Sequence, residues 1–450
     1  MAPPQPQPQP SEDRVTLRRV LRLWWPLAGS WLLMGVELPM FSAVVARMAD
    51  PKIHLAAFSS LVFPIALVVE GPIMMLLAAS TALSRDLPSY RKLYRFMMVA
   101  SAVLTAVHVA IAFTPLFGVV AGVMGVEDEV AGPARLGLMI MLPWTWAIAH
   151  RRFHQGVLIR FERSGEVWLG TMTRLAVNAS VLLLGYSLGG FPGIAVGTAG
   201  IASGVLAEMA FIAWRARKVV RGPLAEAQEV EPLTRKAFVS FYAPLALAPI
   251  LLILVQPIGA AAMARMPESL NSLACWSPVW GLVFMTRSVG FAFNEVVVAL
   301  LGKPGAVPAL RRFVMVLGTT TVSILVLVAA TPLAGIWFER VSGLAPELVA
   351  ISQLAVAFAV LMPGYQALQS WYTGALVHQK RTNGITQSVV LYLIVAASLL
   401  WTGVALDRYT GIYVALTCLS VAGVLQTSLL GWRARVGLRE IEASEAATAA

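Results

Sequence analysis

Residues 153–167 read FHQGVLIRFERSGEV, and residues 371–385 read WYTGALVHQKRTNGI. An aromatic residue, a glycine three places on, an apolar turn and a basic stretch follow in the same order, displaced by 218 positions. The displacement holds outward from there. Pro26, Pro39 and Ala46-Arg47-Met48 recur as Pro244, Pro257 and Ala264-Arg265-Met266. Gly156, Gly185 and Gly193-Ile194 return as Gly374, Gly403 and Gly411-Ile412, and WRAR at Trp214–Arg217 reappears intact at Trp432–Arg435. Arg95-Phe96 and Thr114-Pro115-Leu116 recur one place short of that offset, as Arg312-Phe313 and Thr331-Pro332-Leu333. An ordered series of this length makes the chain two copies of one unit.

Both copies are built for lipid. Mean hydropathy is +0.75, and charged residues make up 13% of the 450, where a soluble chain carries about 25%. Apolar runs of roughly 20 residues are long enough to cross the hydrocarbon core as helices, and the short alternating segments of a barrel are missing. The hydropathy pattern predicts twelve spans. Six fall at about 20–48, 54–83, 93–118, 132–160, 165–188 and 192–215. Six more fall at about 238–264, 271–302, 311–337, 346–378, 384–405 and 410–434. The expected fold is an all-α polytopic membrane protein of about 12 transmembrane helices in two pseudo-symmetric six-helix lobes. The lobes are 20–215 and 238–435, joined by a cytosolic linker, 216–237, with disordered cytosolic tails at 1–19 and 436–450. Six helices per copy is an even number, so the repeat is parallel, with its axis along the membrane normal.

The net charge of +11 points to orientation, not to nucleic acid. Most Lys and Arg cluster at the tails and at alternate loops, including Arg14/Arg18/Arg19/Arg22 and Arg85/Arg91/Lys92/Arg95, while Glu127-Asp128-Glu129 falls on the other side. Cytoplasmic loops carry the basic excess, so both termini and the linker are expected in the cytosol of a multi-pass protein of a bacterial inner membrane. Cys275 and Cys418 lie within apolar runs and imply no disulfide or metal framework. There is no GxxxxGK[ST] or HExxH, and GYSLG at 185–189, which fits GxSxG, closes an apolar run and not a strand-to-helix elbow, so neither ATP-driven transport by this chain nor an enzyme activity is expected, and no cofactor.

Ionisable residues within spans cost at least about 2.5 kcal/mol each on insertion scales and so mark function or pairing. Glu70 and Arg287 fall at matching depth in equivalent helices, as an inter-lobe gate, a substrate contact or a static pair. Glu37 stands two residues before Pro39, where a kink would place it in a wet cavity as a coupling carboxylate, or near the surface. His108 and Glu295 join Glu37 and Glu70 as ion-coupling candidates. Arg174 and Glu208 are expected as a structural bridge. His150-Arg151-Arg152-Phe153-His154 places Arg151 and Arg152 either on a cavity wall that attracts anions or on a snorkelling flank. The i,i+4 histidines lack a third metal ligand. Prolines within spans, among them Pro39, Pro143, Pro257, Pro278 and Pro363, predict bends.

Twelve helices in two parallel lobes fit two superfamilies. Major facilitators carry G-x-x-x-D-[RK]-x-G-[RK] after the second helix. Here that loop reads SRDLPSYRKLYRF, without either glycine, and its repeat LGKPGAVPALRRF has no acid. The segments quoted first resemble instead the [FW]-x-x-G-[VA]-L…R-[ST] pattern of the multidrug/oligosaccharidyl-lipid/polysaccharide (MOP) flippase superfamily, which includes the MATE transporters. LAAFSSLVFPIALVVEGPIMMLLAAS at 55–80 and AVHVAIAF at 106–113 are similar to its progressive ankylosis branch, associated with export of anions such as citrate, ATP or pyrophosphate-related species. The resemblance implies a secondary exporter of a small anionic molecule, working by alternating access, with a coupling ion as partner. A lipid-linked saccharide flippase or multidrug exporter is the alternative on the same scaffold, and a non-transporting membrane protein or membrane-embedded enzyme is the reading from another class.

Overall fold

The structure is a computed structural model that describes residues 14–161, 163–227, 233–379, 381 and 383–449. Its described residues are helical with no strand, and twelve long helical runs appear in two sets of six. In the first lobe these are α1 (Leu17–Gly35 and Glu37–Val45), α2 (Pro51–Leu83), α3 (Leu87–Phe113), α4 (Asp128–Ile140 and Leu142–Arg160), α5 (Ser164–Leu188) and α6 (Gly193–Arg221). In the second they are α7 (Arg235–Ile253 and Val255–Met263), α8 (Ser269–Leu300), α9 (Ala306–Ala330), α10 (Pro346–Ala357 and Met362–His378), α11 (Asn383–Leu406) and α12 (Gly411–Ala449). Nine are long and apolar enough to cross a bilayer, ten with the bent α10, and α4 and α7 complete six per lobe. The chain is an integral, multi-pass membrane protein.

The breaks in these helices repeat with the sequence, and proline causes them. Proline lacks an N–H and its ring clashes with the carbonyl four residues back. α1 breaks at Val36 before Pro39, and α7 at the equivalent Leu254 before Pro257. α4 breaks at Met141 before Pro143, and α10 bends by 43° ahead of Pro363. Pro278, by contrast, sits inside a continuous α8. Thr114-Pro115 and Thr331-Pro332 end α3 and α9, because a residue before proline is pushed out of the helical region. Thr114 has φ −106°, ψ 173°, and Thr331 φ −120°, ψ 169°. These helices therefore end earlier than the hydropathy pattern predicts. In the first lobe a short helix, Leu116–Met124, follows; in the second come Leu333–Ile336 and Trp337–Val341.

Both ends of the chain differ from expectation: Leu17–Arg19, placed in the tail 1–19, form the first turn of α1, and Val15 is buried against the second lobe. Residues 1–13 and most of the linker's centre, 228–232, lie outside the described residues. The expected disordered tail from 436 is instead a continuation of α12 as far as Ala449. Ala, Glu and Arg are strong helix formers, and Arg311–Glu442 and Arg381–Glu440 ion pairs at 3.3 and 3.8 Å tie this extension to the second lobe.

On the side bearing the 46–50 and 264–268 turns, one apolar core runs through both lobes, joining Phe41, Phe58 and Leu61 to Leu273, Trp276 and Val279. On the side of the termini, the leading helix of each lobe leans on the other lobe. Val15 and Val20 pack with Phe293, Leu310 and Trp371, and Trp24 Nε1 donates to Val289 O at 2.9 Å. In return, Phe238 and Tyr242 of α7 pack edge-on against Phe96 of α3, and the Tyr242 hydroxyl donates to Pro72 O. Between these contacts the lobes part around a cavity.

Candidate functional site

The inter-lobe cavity has a volume of about 710 Å³ and is lined from both halves of the chain. Seven charged residues face it: Glu37, Glu70, Arg151, Arg152 and Arg174 from the first lobe, Arg287 and Glu295 from the second. Aromatic rings of Trp31, Trp144, Trp276, Trp280, Tyr365 and Tyr392 form much of the remaining wall.

The first-lobe wall is a connected polar network drawn from five helices. Arg174 of α5 forms a two-pronged ion pair with Glu37 of α1, through Nε at 3.0 Å and through Nη2. Asn178 Nδ2, one turn along α5, donates to the same carboxylate at 3.1 Å. On its other side Arg174 approaches Glu208 of α6 at 3.8 Å. Glu208 is fully buried and takes its nearer contacts from α4: Arg151 Nη1 at 3.1 Å and Gln155 Nε2 at 3.0 Å. Arg151 and Gln155 are four residues apart, hence on one helix face. Trp144, two turns earlier, lies under the Arg174 guanidinium at 5.9 Å and donates its indole N–H to Glu70 Oε2 at 2.8 Å. Buried charge is tolerated where it is paired and hydrogen-bonded, and this network meets that condition for Glu37, Arg174, Glu208 and Arg151.

Two arginines are left over. Arg152 and Arg287 both line the cavity, and among the described residues neither has a carboxylate within 4 Å. The Nε of each also lacks a hydrogen-bond partner. Arg287 is held in place by neutral groups: Nη2 donates to Gln366 Oε1 at 2.8 Å, and the guanidinium lies 5.5 Å from the Trp280 ring and 5.7 Å from that of Tyr365. Glu295 is exposed to the cavity two turns away, with Asn294 Oδ1 beside it unpartnered.

The sequence-derived candidates sort as follows. Glu70, Arg151, Arg152, Arg287, Glu37 and Glu295 are brought to one cavity, and Arg151 and Arg152 are not a surface flank. Glu70 and Arg287 do not pair: Glu70 binds Trp144, and Arg287 binds Gln366. Both line the cavity, but each takes its hydrogen-bond partner from its own lobe. Glu37 is already held by Arg174 and so is not a bare carboxylate at a kink. Arg174 and Glu208 meet, each with a nearer partner elsewhere. His108 is buried between α3 and α4, with Nδ1 against Thr145 Oγ1 at 3.2 Å and Nε2 against Leu138 O at 3.1 Å, and does not line the cavity. His150 and His154 turn away to pack with Trp146, Tyr94 and Phe153, and no metal-binding group of three occurs among the described residues. Sequence reasoning missed Asn178 and Gln366 and gave Gln155, which ends the stretch from His150, no role; the polarity of these neutral side chains within apolar helices was the available signal.

No family model matches the chain, and no curated protein matches it in sequence. Solved structures do. An inward-facing multidrug resistance MATE family transporter of the MOP superfamily superposes with a TM-score of 0.76 at 12% identity, over 95% of this chain and 99% of that one. The lipid II flippase MurJ, in an inward closed conformation, gives 0.69 at 13%, over 94% and 90%. A MOP superfamily transporter from Pyrococcus furiosus, described as having a binding pocket of reverse polarity that suggests a different function, gives 0.58 at 12%, over 97% and 100%. The chain has the two-lobed, twelve-helix fold of the MOP superfamily.

Proposed function

We propose that this chain, on the fold shared by MATE transporters and MurJ, is a secondary transporter that exports a small organic or phosphorylated anion by alternating access between its lobes. The observation that carries the reading is the pair of arginines without carboxylate partners, Arg152 from one lobe and Arg287 from the other, facing one cavity. Four arginines line the cavity against three glutamates, and Glu37 is neutralised by Arg174, so the wall favours an anion over a cationic drug. A guanidinium matches carboxylate or phosphate in forked geometry, and a ligand bridging both lobes ties its binding to their relative position. Glu70 and Glu295 are the carboxylates left to serve a coupling proton or cation. The described P. furiosus transporter, with its pocket of reverse polarity, supports a departure from cation export within this fold, as does the sequence resemblance to the ankylosis branch.

A second reading, flipping of a lipid-linked anion, is favoured by one feature. A groove of about 730 Å³ opens between α9, α10 and α12, with Arg311, Arg435 and Arg439 at one end. Its other end reaches Tyr365, which also lines the central cavity.

Metabolite profiling of medium from cells expressing the protein, against cells expressing Arg152→Gln with Arg287→Gln, tests the proposal. A carboxylate or phosphate ester accumulating only with the wild type supports it. Accumulation of a cation, or a change only in lipid-linked species, replaces it. We place both termini and the linker in the cytosol. A cysteine introduced in the Glu127–Glu129 turn is then labelled by an impermeant reagent in intact cells, and one in the linker is not.

A further inference from the structure

The repeated Ala-Arg-Met triplets end α1 and α7, far from the charged cavity wall, and their arginines do the same thing in opposite directions. Arg47, at the end of α1, donates to its own helix at Ala43 O, 2.6 Å, and then crosses to the second lobe. There it donates to Val341 O at 2.9 Å and to Arg340 O. Arg265, at the end of α7, donates to Ala261 O at 2.7 Å and crosses to the first lobe, to Met124 O at 2.9 Å and to Val123 O. Arg47 and Arg265, and Ala43 and Ala261, are related by the offset of 218, and the matching acceptors, Met124 with Val341 and Val123 with Arg340, by the 217 of the Thr-Pro-Leu repeat just before them.

The receiving sites are also equivalent. Each is the C-terminal turn of a short helix, Leu116–Met124 or Trp337–Val341, whose last carbonyls lack helical partners and carry the negative end of the helix dipole. A glycine follows closely in both, Gly125 with φ +71° and Gly343 with φ +70°. A Cβ on Gly125 would stand 2.8 Å from the Arg265 guanidinium carbon, and one on Gly343 would stand 2.6 Å from Arg47 Nη1. Glycine at these two positions is what lets the opposite arginine reach the carbonyls. Two further inter-lobe contacts flank the pair: Lys52 with Glu347 at 2.5 Å, and Ser269 with Glu127 at 2.9 Å.

We propose that Arg47 and Arg265 form a two-fold-related latch that holds the lobes together on the side opposite the termini, and that the cavity opens there only when both guanidiniums leave the partner lobe's carbonyls. The bonds suit a reversible contact. Arg47 is exposed and Arg265 half-buried, so water replaces the lost bonds on opening, and no carboxylate partner makes release costly. The latch rests on the alternating-access reading, and its test leaves substrate out.

Cys275 and Cys418 are replaced by serine, spin labels are placed at the exposed, repeat-equivalent Phe191 and Tyr409, and inter-label distances are measured by pulsed electron resonance in lipid nanodiscs. The wild type is expected to give one dominant short distance. Arg47→Ala and Arg265→Ala each add a longer-distance population, larger in the double variant than the sum of the singles, because one remaining arm still holds. Arg47→Lys with Arg265→Lys keeps charge and stem but loses the fork, and gives an intermediate shift; it is the working variant if the alanine double does not purify as a single species. Distance distributions unchanged from wild type in the double variant would overturn the latch. A clear shift in a protein that transports no anion would leave the latch standing and remove the substrate assignment.

Discussion

Arg151 with Glu208 in the first lobe, and Gln369 with Gln426 in the second, occupy equivalent positions of the repeat and make the same contact in different chemistry. The first is an ion pair at 3.1 Å and the second an amide–amide hydrogen bond at 3.1 Å. Around them the contrast continues. Arg174 is matched by Tyr392, Asn178 by Ala396, Glu37 by Val255 and Glu70 by Ser288. Arg287 faces the other way, since its first-lobe counterpart is Val69. The shared backbone therefore fixes where a polar contact between the fourth and sixth helices of a lobe falls, and leaves its charge free to vary. One lobe pairs Glu37 and Glu208 with its own arginines. The other presents one guanidinium among aromatic rings.

The largest effect expected from this difference is on stability. Glu208→Gln leaves Arg151 buried without its counter-ion and costs about 3–5 kcal/mol, read as a large fall in melting temperature or loss of folded protein. Gln426→Leu in the second lobe removes one neutral hydrogen bond, worth about 1 kcal/mol. Equal losses from the two variants would break the comparison. Grafting the ion pair sharpens it: Gln369→Arg and Gln426→Glu each destabilise alone, and together recover part of the loss, a coupling that a double-mutant cycle measures.

Next in size are Arg152→Gln and Arg287→Gln, which break no ion pair within 4 Å. Each is expected to lower export tenfold or more, about 1.4 kcal/mol, with melting temperature far less affected than by Glu208→Gln. A stability loss as large as that of Glu208→Gln would make them members of the structural network instead. The smallest effect is the coupling between Glu70 and Arg287. Because these residues have separate partners, Glu70→Gln and Arg287→Gln are expected to be additive in stability within about 0.5 kcal/mol. A larger coupling would restore a direct pair between them.

The fold was legible because hydropathy marks spans and the offset marks symmetry, and both are one-dimensional signals. Depth was legible too: Glu70, Arg287, Glu37 and Glu295 were singled out as intramembrane charges, Arg151 and Arg152 as either cavity wall or flank, and all six line one cavity. Azimuth was not. Which side of a helix a residue faces decides its partner, and here Glu70 met Trp144, and Glu37 met Arg174, through packing no periodicity shows. The same limit hid the role of Arg47 and Arg265, which the repeat displayed as a triplet without saying what it reached. The α12 extension was missed for another reason. Residues 436–449 carry little apolar surface, yet Leu438 is buried in the second-lobe core with Ile441 against it, and helix propensity and the ion pairs of Glu440 and Glu442 add to that.

If arginines from both lobes recognise an anion in the cavity, ligand-dependent stability reads that recognition without a transport assay. Binding to the folded state raises the unfolding free energy by RT ln(1 + [L]/Kd). Melting of the purified protein is followed at constant ionic strength against citrate, pyrophosphate and the lipophilic cation tetraphenylphosphonium. The account predicts that at least one of the two anions raises the melting temperature in a saturable way, that the cation does not, and that Arg152→Gln with Arg287→Gln abolishes the rise. Stabilisation by the cation alone, or anion stabilisation that survives in the double variant, would contradict it.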